Sequence, residues 1–181
     1  NAADTATLLR HFNQVVAEND MKWQPIHPRE GQTGYEFGPA DALVRFALSN
    51  RLEIAGHTLV WHSQTPNWVF AGTNPPPASA GNPNGPGANR PVRGGFGPGL
   101  GGDNGPRASR DELLARMSNH IHTVVGRYKG KVKVWDVVNE ALADGPGTNV
   151  LRSSPWSQII GRDFIAHAFR FAHAADPDAI L

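Results

Sequence analysis

The sequence predicts an α/β fold in which a parallel sheet is covered by helices and closed as a (β/α)8 TIM barrel. Three observations carry that expectation. Helix-like and strand-like segments alternate along the chain. The strand-like runs, such as Leu52 to Trp61 and Val132 to Val138, are apolar almost throughout, as in strands buried on both faces. Polar clusters fall at the C-terminal ends of these runs, at Glu18-Asn19, His57 through Gln64 and Asn139-Glu140. That end of a barrel is where its chemistry is built.

The elements follow in order. Asp4 can cap a helix that places Leu8, Leu9 and Phe12 on one face, and Val15-Val16-Ala17 is a short apolar run leading into Glu18-Asn19. Pro39 stands where a helix begins, with Leu43, Val44, Phe46 and Ala47 as its apolar stripe. The run from Leu52 to Trp61 is rich in strand formers. From about Ala71 to Arg107 roughly half of the residues are Gly or Pro, which sustains neither helix nor ladder. This tract is expected to be a mobile surface insertion, with Arg90 and Arg93 solvated. Ser109 and Glu112 have capping-box spacing ahead of Leu113, Leu114, Met117, Ile121, Val124 and Val125, which recur at helical period. A buried strand over Val132–Val138 comes next, then a helix from about Asp163 to Ala175 with Phe164, Ile165, Ala168, Phe169 and Ala172 inward. Asp176-Pro177 ends that helix, and Ala179-Ile180-Leu181 could begin another strand.

Composition narrows the function classes. The 181 residues suffice for one domain with a core, and a net charge of +1 gives no electrostatic reason to bind nucleic acid or an anionic membrane. No apolar run approaches the ~20 residues of a membrane span. Without cysteine there is neither a disulfide framework nor a thiolate metal site. No glycine-rich phosphate loop follows a strand, so dinucleotide binding is not indicated. His120 and His122 stand two apart on a helix and face different directions, so they are not read as a metal pair. No metal or cofactor is expected. The chain opens Asn1-Ala2-Ala3-Asp4, with no initiator Met or signal peptide, and reads as a processed or truncated end.

Taken alone, Asn139-Glu140 at a strand end is a plausible sugar-hydrolysing acid beside an amide, but equally an ordinary loop start. The longer runs are more specific. Trp135-Asp136-Val137-Val138-Asn139-Glu140-Ala141 resembles the acid/base strand of glycoside hydrolase family 10, whose members are mostly endo-β-1,4-xylanases. Gly56 through Trp68 resembles the preceding strand and loop of that family, and Phe12-Asn13 with Glu18 through Trp23 resembles the segment before it. The helix His120–Gly130 fits the same pattern. The resemblance covers nearly the whole chain except the Gly/Pro tract.

It implies a retaining glycosidase acting on xylan or xylo-oligosaccharides, with two carboxyls ~5–5.5 Å apart. Glu140 matches the general acid/base. It has to hold a proton near neutral pH, through burial and through its partner carboxylate. Asn139 matches the residue that bonds the sugar 2-hydroxyl. Neighbouring strand residues point to opposite faces, so the strand must end or distort for Asn139 and Glu140 to share a cleft. Glu18, Asn19 and Lys22 match residues that bind sugar hydroxyls on the glycone side. His57 and Trp61 match the lining of the subsite under attack, and Gln64 matches another contact there. His62 is read as support, with Asp136 as its partner, and a cis peptide is implied at His57-Thr58.

The resemblance also implies what lies elsewhere. A full barrel has eight strands and ~250 residues, whereas matches here reach only strands two to four and the start of five. Glu30, Glu36, Glu53 and Glu112 fit no nucleophile motif, so the nucleophile is expected on segments outside these residues. Residues 1–181 are thus read as one partial catalytic barrel with a loop insertion at about 71–107. Isolated, it is expected to be inactive and to expose sheet edges and an apolar face. The family implies secretion. The runner-up reading is a non-catalytic carbohydrate-binding fragment, which would have little use for an acid at position 140.

Overall fold

The alternation in the sequence becomes three parallel strands with helices laid on one face. The structure, a computed structural model, describes residues 2–73, 107–144 and 150–181. Helix α1 (Ala2–His11) leads to β1 (Gln14–Val16), then to the short α2 (Trp23–Ile26) and to α3 (Gly38–Ser49). Strand β2 (Glu53–Val60), α4 (Arg110–Tyr128), β3 (Val134–Val138), α5 (Pro155–Ile159) and α6 (Phe164–Ala175) complete the order. The sheet order is β1-β2-β3, all parallel, with Val15 opposite Ile54 and Gly56 opposite Trp135. Beyond β3 the chain returns at Ile180, which forms a parallel bridge to Val134. The Trp135 amide donates to the Ile180 carbonyl at 2.9 Å, which sets Ile180 beside β3 in a single bridge without a further strand among the described residues.

Strand alternation divides the sheet. Ile54, Gly56, Trp135 and Val137 are buried towards the helices, where the Tyr128 ring of α4 meets Trp135. Glu53, His57 and Asp136 lie on the opposite face, which no described element covers. That face is uncovered among the described residues but mixed in polarity, where an apolar face was expected. Gly56 is required by close approach. A Cβ there would lie 2.1 Å from the Trp135 ring, whose aromatic plane occupies the space a side chain would need.

Local rules account for the elements. The Ser109 hydroxyl accepts from the Glu112 amide and the Glu112 carboxylate accepts from the Ser109 amide at 2.7 Å, closing the capping box that starts α4. Pro39 stands in the first turn of α3. Three expectations need correction. Asp4 lies within the first turn of α1, which begins at Ala2 and not after it. Phe12 lies beyond the helix, which ends at His11, so it does not extend a face shared with Leu8 and Leu9, and it is 61% exposed. Phe169 of α6 is likewise exposed, while Phe164, Ala168 and Ala172 carry the packing. The Gly/Pro tract, with Arg90 and Arg93, lies almost wholly outside the described residues. Its two ends meet, since Ala71 and Arg107 form an antiparallel bridge.

Beneath α2 lies a stack of rings. Trp23 lies flat on His120 at 3.8 Å, and His27 lies on Tyr35 at 3.6 Å. His120 is fully buried and neither ring nitrogen has a protein partner, so burial holds its pKa well below 6.5, with His27 adding to the effect. His27 is lowered by burial too, opposed by its bond to the Gly31 carbonyl and by Glu30. His122, by contrast, turns its Nδ1 to the Ser118 carbonyl. The unfolded chain binds these protons below about 6.5 while the native state resists them, so stability is complete above that pH and is lost as pH falls below it. Thermal unfolding followed from pH 8 to pH 5 should show a falling Tm. His120→Phe keeps the stack and should flatten the pH dependence, by up to about 1.4 kcal/mol of unfolding free energy per pH unit. An unchanged slope would mean that His120 does not titrate with unfolding.

Candidate active site

The site is assembled from loops that leave the C-terminal ends of the three strands, as barrel chemistry requires. After β3 ends at Val138, the Asn139 amide makes a last ladder bond to the Val60 carbonyl at 2.9 Å. Glu140 then turns the chain with φ 49°, in the left-handed region. The strand thus ends where the expectation required it to end. Within these residues the Glu140 side chain is half exposed (50%), and the turn carries it out of the ladder.

Trp61 is the hub. Its indole Nε1 donates to Glu140 Oε2 at 3.0 Å, and its ring lies under the Lys22 ammonium, 4.8 Å from the centroid. Lys22 is almost fully buried and donates to Asn19 Oδ1 at 3.0 Å. Gln64 Nε2 donates to the same oxygen at 3.3 Å, and Gln64 itself has φ 48°. Glu140, Trp61, Lys22, Asn19 and Gln64 therefore form one connected chain of polar and aromatic contacts. Residues 18 to 22 are not helical, and the Lys22 ammonium goes to Asn19. An open groove of ≈ 520 Å³ continues from Asn19 and Gln64 along Gln24, Pro25, Pro28 and Glu36.

His57 and Asp136 occupy the sheet face below. His57 Nδ1 meets Asp136 Oδ2 at 2.9 Å, in register across β2 and β3, and the His57-Thr58 peptide is cis, as the resemblance implies. Asp136 is therefore the partner of His57 and not of His62, because residue 62 lies beyond the strand while 57 and 136 are paired within it. His62 instead lies with Nε2 3.8 Å from Glu140 Oε2. Burial lowers its pKa first and the Arg152 charge lowers it further, against Glu140 and Asp144, so it is neutral near pH 7.

Sequence reasoning missed three residues here. Trp156 of α5 is buried and its Nε1 donates to the Trp61 carbonyl at 2.9 Å, fixing the hub from behind. Thr58 Oγ1 donates to the Asp136 carbonyl at 2.8 Å. Arg152 Nε donates to the Glu140 carbonyl at 3.1 Å. The first was findable: Ser154-Pro155 is an N-cap followed by proline at the first helical position, and Ser154 does cap α5. Among the described residues no His, Asp and Glu cluster could hold a metal ion.

Comparison with known proteins places this geometry. The model of "Glycosyl hydrolase family 10" matches residues 1–181. The chain is 45% identical over 174 residues to a beta-1,4-xylanase of Dictyoglomus thermophilum, covering 96% of this chain and 38% of that protein. It is 42% identical over 179 residues to an endo-1,4-beta-xylanase of Geobacillus stearothermophilus, covering 99% and 44%. Among solved structures it resembles xylanase XynB from Paenibacillus barcinonensis complexed with a conduramine derivative. The TM-score is 0.77 at 37% identity, over 98% of this chain and 44% of that one. The chain thus spans under half the length of these relatives. Its three parallel strands with their covering helices, and the match over the full 181 residues, are those of part of a (β/α)8 barrel: the chain belongs to glycosyl hydrolase family 10.

Proposed function

We propose that residues 1–181 form part of the catalytic barrel of a retaining endo-β-1,4-xylanase, with Glu140 as its general acid/base. The observation that carries this reading is a carboxyl at a strand end, held by an indole N–H, next to a run of donors and acceptors suited to sugar hydroxyls. Glu140 gives its proton to the glycosidic oxygen as the C–O bond breaks, and a second carboxylate attacks the anomeric carbon. Glu140 then takes a proton from the water that releases the covalent glycosyl-enzyme. Two carboxylates so close do not both ionise readily, which is how Glu140 keeps its proton.

Asn139 bonds the 2-hydroxyl, a contact that strengthens as charge develops on the ring. Glu18, Asn19, Lys22 and Gln64 bind glycone hydroxyls, and Trp61 and His57 line the subsite under attack. His62 and Asp136 support them. The remaining strands of the barrel are the essential partner and supply the nucleophile. A polymeric substrate places the enzyme outside the cell.

The test is release of xylo-oligosaccharides from xylan by the complete barrel, with product anomers followed by NMR. Retention of the β configuration is expected; inversion, or no release at all, would overturn the reading. Purified residues 1–181 should release nothing. Robust hydrolysis by that chain, free of other polypeptide, would place the nucleophile within it.

A further inference from the structure

We propose that Arg152 is a positioning residue for the acid/base, holding the Glu140 backbone in the turn that presents its carboxyl to Trp61. The proposal rests on reading Glu140 as the proton donor, and it concerns how that donor is kept in place.

Glu140 sits at φ 49°, where a residue with a side chain meets steric opposition and where glutamate has no local hydrogen bond of its own to favour it. The turn must therefore be imposed from outside. Before it, the Asn139 amide is held on the Val60 carbonyl. After it, one residue makes three contacts. Arg152 Nε donates to the Glu140 carbonyl at 3.1 Å, the Arg152 amide donates to the Ala141 carbonyl at 2.8 Å, and Arg152 Nη2 donates to Asp144 Oδ2 at 2.8 Å.

The guanidinium is a planar fork, so fixing Nη2 on Asp144 also fixes the direction in which Nε points. Asp144 is 85% exposed while the Arg152 side chain is only 23% exposed, so the arginine is the shielded member that spans the loop. The two ends of Glu140 are held by different donors: the carbonyl by Arg152, the carboxyl by Trp61. That division matters chemically. A guanidinium bonded to the carboxylate would favour its charged form and oppose proton donation. Bonded to the carbonyl, and paired through Nη2 with Asp144, it restrains the residue without occupying the carboxyl.

Substrates that differ only in leaving group separate positioning from general support. Departure of a sugar alkoxide needs protonation, whereas dinitrophenolate leaves without it. In the complete barrel, Arg152→Met should lower kcat/KM on xylo-oligosaccharides by roughly 10- to 100-fold, part of the full general-acid effect. On dinitrophenyl β-xylobioside the same variant should stay within about threefold, since kcat/KM reports formation of the glycosyl-enzyme. Arg152→Lys keeps the charge but not the fork, and should resemble Arg152→Met. Equal losses on both substrates would reduce Arg152 to ordinary loop stabilisation and overturn the proposal, as would no loss on either. If Glu140→Ala shows no leaving-group dependence, the reading of Glu140 itself fails, and the Arg152 result then has no acid to refer to.

Discussion

Glu140→Gln in the complete barrel should lower the rate of xylan hydrolysis by about 10²- to 10⁴-fold, the usual worth of a positioned general acid/base. The substitution is nearly isosteric. Its amide oxygen can still accept from Trp61 Nε1, which now meets Glu140 Oε2 at 3.0 Å, so the hub should keep its shape. What is lost is the proton and the capacity to take one back. Melting temperature should therefore move little while initial rates collapse. A variant retaining more than a tenth of the wild-type rate would show that Glu140 is a sugar contact and that some other group donates the proton.

The second large effect is on stability. Trp156→Ala should reduce the unfolding free energy by about 3–5 kcal/mol, the range for deleting a large aromatic from a packed interior. Trp156 is among the most buried side chains, with Trp23 at 5.4 Å on one side and Phe70 at 4.9 Å on the other. Alanine would leave a void behind the carbonyl of Trp61. Trp156→Phe separates packing from bonding. It keeps most of the ring and loses only the N–H to the Trp61 carbonyl, which still accepts from Thr65 Oγ1 at 2.8 Å. The Phe variant should therefore cost about 1 kcal/mol or slightly more, the net value of one hydrogen bond with some packing. Denaturant titration measures both, and equal losses would mean that the bond outweighs the burial.

Much of this architecture was legible because it is written in local chemistry. The capping box at Ser109 and Glu112, the proline opening α3 and the apolar period of α4 need only short windows of sequence, and each forms as read. The strand run from Leu52 to Trp61 likewise becomes β2. What was not legible depends on long-range register. The pairing of His57 with Asp136 joins residues 79 apart, and it follows from aligning two parallel strands whose register shifts between His57 and Val60. Arg152 was invisible for the same reason: its spacing from Glu140 has no period, and its partner is a backbone carbonyl that carries no sequence signal. The misplacement of Phe169 has another cause. Periodicity reports which residues share a face, not whether another element exists to cover it.

The contact of Gly56 with the Trp135 ring reaches beyond packing. These two residues face each other across neighbouring strands, upstream of the ends that carry Trp61 and Glu140. The hydrogen-bonded ladder already fixes the separation of the two strands, so a larger residue at 56 would act on the ring instead. Displacing Trp135 would in turn disturb the Tyr128 ring of α4 beside it, carrying a change made within the sheet into the helix layer.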